Sequence, residues 1–255
     1  MRKLMYVLLL FWAISVNAQN NRQFYLIKLY HFATHTQQKA TEDFLQKAWL
    51  PAVHKKGIKQ VGVFTPVGND TATKKKIYLF IPLVSLNDVY RLDDALLKDP
   101  QYLSAGATYI QAAHDQPAYS RIETFVLRAF SDMPHMAKPV LSGPVEQRIY
   151  ELRSYEGATE KLYRKKVDMF NQGGEIKLFK QLAFNAVFYG EVLAGSRMPN
   201  LMYMTSFDNM DERDKHWKIF FDHPEWKRLS ALPEYQHTVS KVDIILLNPT
   251  SYSDL

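Results

Sequence analysis

The stretch Arg148-Ile149-Tyr150-Glu151-Leu152-Arg153-Ser154-Tyr155 decides the fold, because a looser copy, Phe24-Tyr25-Leu26-Ile27-Lys28-Leu29-Tyr30, opens the first half of the same chain. Both runs are rich in aromatic and aliphatic residues and read as strands. Landmarks recur downstream at nearly constant separation. Tyr25 and Tyr30 lie 125 residues before Tyr150 and Tyr155, and Pro100 and Tyr102 lie 124 before Pro224 and Trp226. Ser120-Arg121-Ile122-Glu123 lies 120 before Ser240-Lys241-Val242-Asp243. Three such pairs in one order point to an internal duplication.

Each half reads as strand, helix, strand, strand, helix, strand. In the first, a strand at 24–30 precedes a helix over 38–55, whose Phe44, Leu45, Ala48, Trp49 and Ala52 share one face. Thr36 and Thr41 are available as its caps, and Pro51 should bend or shorten it. Strands at 58–66 and 76–84, a helix from Ser85 and a strand at 121–130 complete the half. The second half offers strands at 148–155, 183–193, 200–207 and 241–247, with helices over 159–182 and from Met210. This order is that of a ferredoxin-like unit, an antiparallel sheet with helices on one face. Two bare sheet faces can bury each other. The predicted class is therefore α+β, with two tandem ferredoxin-like (βαββαβ) halves whose antiparallel sheets pack into an α/β barrel within one chain. The halves span 22–130 and 146–250, and the segment 131–145, with Pro134, Pro139, Gly143 and Pro144, reads as the linker.

The chain begins Met1-Arg2-Lys3, continues apolar from Leu4 to Ile14 and reaches Val16-Asn17-Ala18, the order of a secretory signal peptide over residues 1–18. The apolar run is too short to span a bilayer, so the reading is an exported, periplasmic protein without stable membrane insertion. With no cysteine there is no disulfide framework, thiolate nucleophile or cysteine-ligated metal. Cleavage would leave 30 of the 32 basic residues against 26 acidic ones, a formal charge of +4, too mild and dispersed for a nucleic-acid partner.

The run Tyr150-Glu151-Leu152-Arg153-Ser154-Tyr155, followed by Trp217 and by His223-Pro224-Glu225-Trp226, resembles the NIPSNAP family domain. That family opens with a Tyr-Glu-Leu-Arg-x-Tyr strand and carries an Asp/His-Pro-Glu-Trp segment in its second helical region. The resemblance covers residues 147–250. The first half departs from it, lacking the Glu and carrying Lys28 where the motif has Arg. The resemblance implies a dimeric α/β barrel of the ferredoxin-like type and leaves the chemistry open. Small monooxygenases and haem-degrading enzymes share this fold, but a fold by itself does not carry a function.

Alternation along 148–155 separates Tyr150 and Leu152 from Glu151, Arg153 and Tyr155. If the apolar pair faces the helices, then Glu151, Arg153 and Tyr155 point into the barrel, joined by Lys28 and Tyr30. These five would line a ligand site in or at the mouth of the barrel, with Arg153 and Lys28 attracting an anionic group. Against this stands a purely structural role in which Glu151 and Arg153 satisfy each other in a polar core layer. His31, at the end of the first strand, is the candidate for proton transfer. Spacings typical of metal ligands, phosphate-cradling loops and a serine nucleophile elbow are absent, so no metal and no cofactor is expected. Three functions remain open: a small-molecule-binding module, a cofactor-poor oxidoreductase, monooxygenase-like enzyme or isomerase, and an assembly module that forms a homo-oligomer. For the export reading, N-terminal sequencing of the protein recovered outside the cytoplasm should begin at Gln19. An N-terminus retaining Arg2 and Lys3 contradicts cleavage.

Overall fold

In the computed structural model, residues 22–255 are described, so the signal-peptide reading of residues 1–18 lies outside the described residues. Strand β1 (Phe24–Phe32) leads into helix α1 (His35–Phe44). The cap of α1 is Thr34, whose hydroxyl accepts from the Gln37 amide, and not Thr36 or Thr41. The helix runs on through a π-helical turn (Leu45–Trp49) into α2 (Leu50–Lys55), and Pro51 sits in the first turn of α2. The π-helical turn just before it shifts the hydrogen-bond register, so the proline is accommodated at this junction without ending the helix. Strands β2 (Gly62–Pro66) and β3 (Lys75–Leu83), helices α3 (Asn87–Leu96), α4 (Pro100–Ala105) and α5 (Ala107–Ile110), and strand β4 (Arg121–Ala129) follow.

The second half repeats this order with β5 (Ile149–Glu156), α6 (Glu160–Phe170), α7 (Glu175–Gln181), β6 (Asn185–Ala194), β7 (Asn200–Phe207), α8 (Met210–Asp222), α9 (Pro224–Ser230) and β8 (Lys241–Pro249). The expected single helix over 159–182 is two. The first ends at Phe170, and after the turn at 171–173 Gly174 adopts φ 92°, a left-handed conformation from which α7 starts anew. Residues 131–144 carry no helix or strand, yet they are pinned. Met136 is buried, its amide donates to the Gln23 side chain at 2.7 Å, and the Ala137 amide donates to the Val187 carbonyl.

All strand pairs are antiparallel, and the strands close in the order β1-β3-β2-β8-β5-β7-β6-β4. The run β4-β1-β3-β2 and the run β8-β5-β7-β6 have the same internal sequence of copies, and the two meet at β2–β8 and β6–β4. An eight-stranded barrel leaves an interior just wide enough to be filled by side chains. Here Tyr25, Phe80 and Phe188 form a mutual aromatic cluster with centroids 4.8–5.3 Å apart, and Phe64 meets Tyr150 at 4.7 Å. Leu152, Met202, Met204, Leu127 and Leu247 complete the packed interior.

This filling corrects the expected strand faces. Tyr25, Ile27 and Leu29 of β1, and Tyr150 and Leu152 of β5, point into the barrel. Leu26 and Tyr30 belong instead to the layer under the first-half helices, and Tyr155 packs against the corresponding layer of the second half. The helices therefore cover the face bearing the charges, and the apolar face is the inner one. Phe188→Ala should lower the unfolding free energy by about 3–5 kcal/mol, through lost burial and the cavity left behind, as read by urea denaturation.

Candidate functional site

The sequence-derived site residues do not come together. They divide among three places: the helix layer of the second half, the helix layer of the first half, and one end of the barrel.

In the second half, Glu151 is fully buried and bonded on both carboxylate oxygens. Arg153 Nε donates to Oε1 at 2.5 Å, while Arg213 Nε and Trp217 Nε1 donate to Oε2 at 2.6 and 2.9 Å. The Trp217 indole lies over the Arg153 guanidinium, 3.6 Å from ring centroid to Cζ, a cation–π contact. Arg153 Nη1 donates to the Tyr155 hydroxyl at 3.1 Å, and that hydroxyl shares a 2.9 Å bond with Tyr203. Burial works against the Arg153 charge, but Tyr203, Tyr155 and the Glu151 carboxylate around it outweigh this and hold the guanidinium protonated. Beside this group, Lys166 pairs with Glu175 at 2.8 Å, both buried. Desolvation raises the Glu175 carboxyl above its ordinary value, with Lys166 opposing. Every charge in this layer has a partner and aromatic rings fill the remainder, so Glu151, Arg153 and Tyr155 form a polar bridge between β5 and α8. Arg213 and Trp217, four apart and hence on one helix face, complete it; that spacing was the available sequence signal.

In the first half, Lys28 and Tyr30 lie on the corresponding outer face of β1, facing a cavity of about 500 Å³ under the helices. Lys28 Nζ is 3.5 Å from Asp93. Burial pushes the Tyr30 phenol well above its ordinary value, so it is neutral. These two residues lie on the face of β1 opposite to His31, so the one sheet layer separates the two groups.

His31 continues the inward face of β1, after Ile27 and Leu29, and stands at the end of the barrel beside a cavity of about 360 Å³. The cavity has an apolar floor that includes Leu29, Phe125, Leu152 and Met202. Its rim is charged. His31 Nε2 and Glu123 Oε1 are 2.8 Å apart, and Ser196 Oγ, from the loop between β6 and β7, donates to Glu123 Oε2 at 3.2 Å. The next residue of that loop, Arg197, has φ 68°, a left-handed backbone uncommon outside glycine, and pairs with Asp243. Lys76, directly opposite His31 across the β1–β3 ladder, has no side-chain acceptor among the described residues. Desolvation acts to raise the Glu123 carboxyl, but hydrogen bonds from His31 and Ser196 and the nearby His31 and Arg121 charges outweigh it and hold it below its ordinary value. The stability it contributes is present above the unfolded carboxylate range and fades as pH falls through the lowered folded value. Burial pushes the Tyr78 phenol, also at this mouth, up to about 12.

Glu123, Lys76, Tyr78, Arg197 and Asp243 were not among the sequence candidates. The signal was present for two of them: Glu123 and Asp243 occupy matching places in the two halves, and each is the last charged residue before its inward row turns apolar. Among the described residues, no group of three or more His, Asp or Glu could hold a metal ion, and no helix is long and apolar enough to cross a membrane.

The family model described as NIPSNAP matches residues 150–254, from β5 through β8 in the second half of the chain. None of the curated proteins matches the sequence. Among solved structures, a candidate monooxygenase from Fusobacterium nucleatum superposes with a TM-score of 0.58 at 10% identity, covering 90% of this chain and 93% of the other. A second candidate monooxygenase, from Lactobacillus acidophilus, gives 0.57 at 9% identity over 89% and 94%. An anthrone oxidase-like protein gives 0.51 at 12% identity over 92% and 94%. At such identities the likeness is one of fold, and it extends over both halves.

The bridge around Glu151 yields a stability prediction. Glu151→Ala strands the buried Arg153 charge and should cost about 3–5 kcal/mol in chemical denaturation. Replacing Glu151 and Arg153 together by leucine and methionine should recover part of that loss, the rest persisting because Arg213 and the buried Trp217 N–H lose their acceptor.

Proposed function

We propose that this protein binds a small molecule at the barrel mouth, with its apolar part on the Leu29, Phe125, Leu152 and Met202 floor and a polar or anionic group toward Lys76 and His31. The observation that carries this reading is the cavity itself. It is concave, apolar below, and rimmed by a few convergent polar groups, one of them a lysine without a side-chain acceptor among the described residues. The reading keeps the ligand at the mouth but moves it from Glu151, Arg153 and Tyr155 to His31, Glu123, Lys76 and Arg197. It takes the two halves as tandem ferredoxin-like repeats, in keeping with their equal strand order, and the protein as exported by residues 1–18.

A second reading is favoured by one contact. The 2.8 Å approach of His31 to Glu123 orients an imidazole at a cavity, the arrangement of a general base steadied by a carboxylate. On that reading His31 takes a proton from a bound molecule, as a cofactor-poor oxidoreductase or isomerase requires. The fold is shared with two candidate monooxygenases and an anthrone oxidase-like protein, which is compatible with this reading and does not choose the substrate.

Mass spectrometry of small molecules retained by the purified protein, with an absorption spectrum to reveal any coloured group, tests the proposal. A retained species should be lost or reduced at least tenfold in Lys76→Ala. Equal retention by wild type and Lys76→Ala contradicts the site. If His31 moves a proton, His31→Gln should retain the molecule but not turn it over.

A further inference from the structure

The duplication supplies a comparison internal to the chain. Lys28 and Tyr30 of β1 occupy the places that Arg153 and Tyr155 hold in β5, at the separation of 125 residues. In the helical segments the separation is 124. It relates Pro100 to Pro224, Tyr102 to Trp226, and Ser85 to the Asn209 that caps α8. By the same separation, Asp93 of α3 stands where α8 has Trp217. The contacts agree with this alignment, since Asp93 reaches Lys28 and Trp217 reaches Arg153.

The two halves have thus solved the same position differently. In the second, a planar indole covers the strand cation and passes its N–H to the Glu151 carboxylate. In the first, the strand cation is present, and the helix position corresponding to Trp217 holds the carboxylate of Asp93 in place of a ring. The cavity of about 500 Å³ lies there, and Tyr30, Phe44, Tyr102, Tyr109 and Tyr119 line it. Its aromatic walls are ordered. Phe44 and Tyr109 stack with centroids 3.8 Å apart, and Tyr30 meets Tyr119 edge to face at 6.0 Å. Burial raises the phenols of Tyr30, Tyr102 and Tyr109, so they offer neutral hydroxyls and ring faces. The Lys28–Asp93 pair is 3.5 Å long with Asp93 largely exposed, the kind of contact worth roughly 0–1 kcal/mol and easily opened.

We infer that the first half carries a second binding site, for a planar aromatic molecule with an N–H or O–H donor. Its ring lies against the Lys28 ammonium and the tyrosine walls, and its donor meets the Asp93 carboxylate. This is the role Trp217 fills for the other half from within the chain. The site is separate from the barrel mouth, because Lys28 and His31 lie on opposite faces of β1.

Indole and 1-methylindole, titrated into the purified protein by calorimetry and by ligand-observed NMR, test this. Indole should bind saturably, and 1-methylindole, which lacks the donor, should bind at least several-fold more weakly. Asp93→Trp places in the first half the residue that occupies the second. It should abolish indole binding while keeping the wild-type circular dichroism spectrum and an unchanged or higher denaturation midpoint. Asp93→Asn, which keeps size and fold, should weaken binding at least several-fold and decides the matter if Asp93→Trp does not fold. Absence of saturable indole binding, or undiminished binding by both variants, overturns the inference. Equal binding of the two indoles overturns the assignment of Asp93 as acceptor.

Discussion

Closure of an eight-stranded antiparallel barrel requires its narrow interior to be filled without leaving charge unpaired, and the rest of the molecule follows from that requirement. Because successive residues of a strand alternate between faces, committing Tyr25, Ile27 and Leu29 and their second-half counterparts Tyr150 and Leu152 to the interior sends Lys28, Tyr30, Glu151, Arg153 and Tyr155 outward. Burying charge inside the barrel would have cost several kcal/mol per ion without room for compensating donors. On the outside, helices can bring those donors, as Arg213 and Trp217 do for Glu151.

The same alternation defines where the inner face meets water. His31, Glu123 and Asp243 continue inward-facing rows to the point where the barrel opens, and polar groups there can be solvated and paired while the floor beneath stays apolar. The loop between β6 and β7 ties this end together, with Ser196 on Glu123 of the first half and Arg197 on Asp243 of the second. The mouth is consequently built by strands of both halves, whereas each helix layer is built mainly by one.

Much of the architecture was legible in the sequence. The offsets between Tyr25 and Tyr150, and between Pro100 and Pro224, match the equal strand order of the two halves, and the strand and helix order follows from periodicity and turn residues. Which face of β5 turns inward was not legible. Its two faces, Tyr150 and Leu152 against Glu151, Arg153 and Tyr155, are both amphipathic enough to be buried, and the deciding partners lie some sixty residues away in α8. The helix break at Gly173-Gly174 was marked by its glycines, but the apolar pattern runs across it. His31 was found because it ends a strand, whereas Lys76 and Glu123 become its neighbours only through pairing with β3 and β4.

The central claim is that a ligand enters at the barrel mouth and that the Glu151, Arg153 and Tyr155 group is a structural bridge. Crystallographic analysis of the protein purified with its retained small molecule tests this most directly. The account predicts ordered density over the Leu29, Phe125, Leu152 and Met202 floor within hydrogen-bonding distance of Lys76 or His31. Density lodged against Arg153, with Trp217 displaced from its guanidinium, would contradict it.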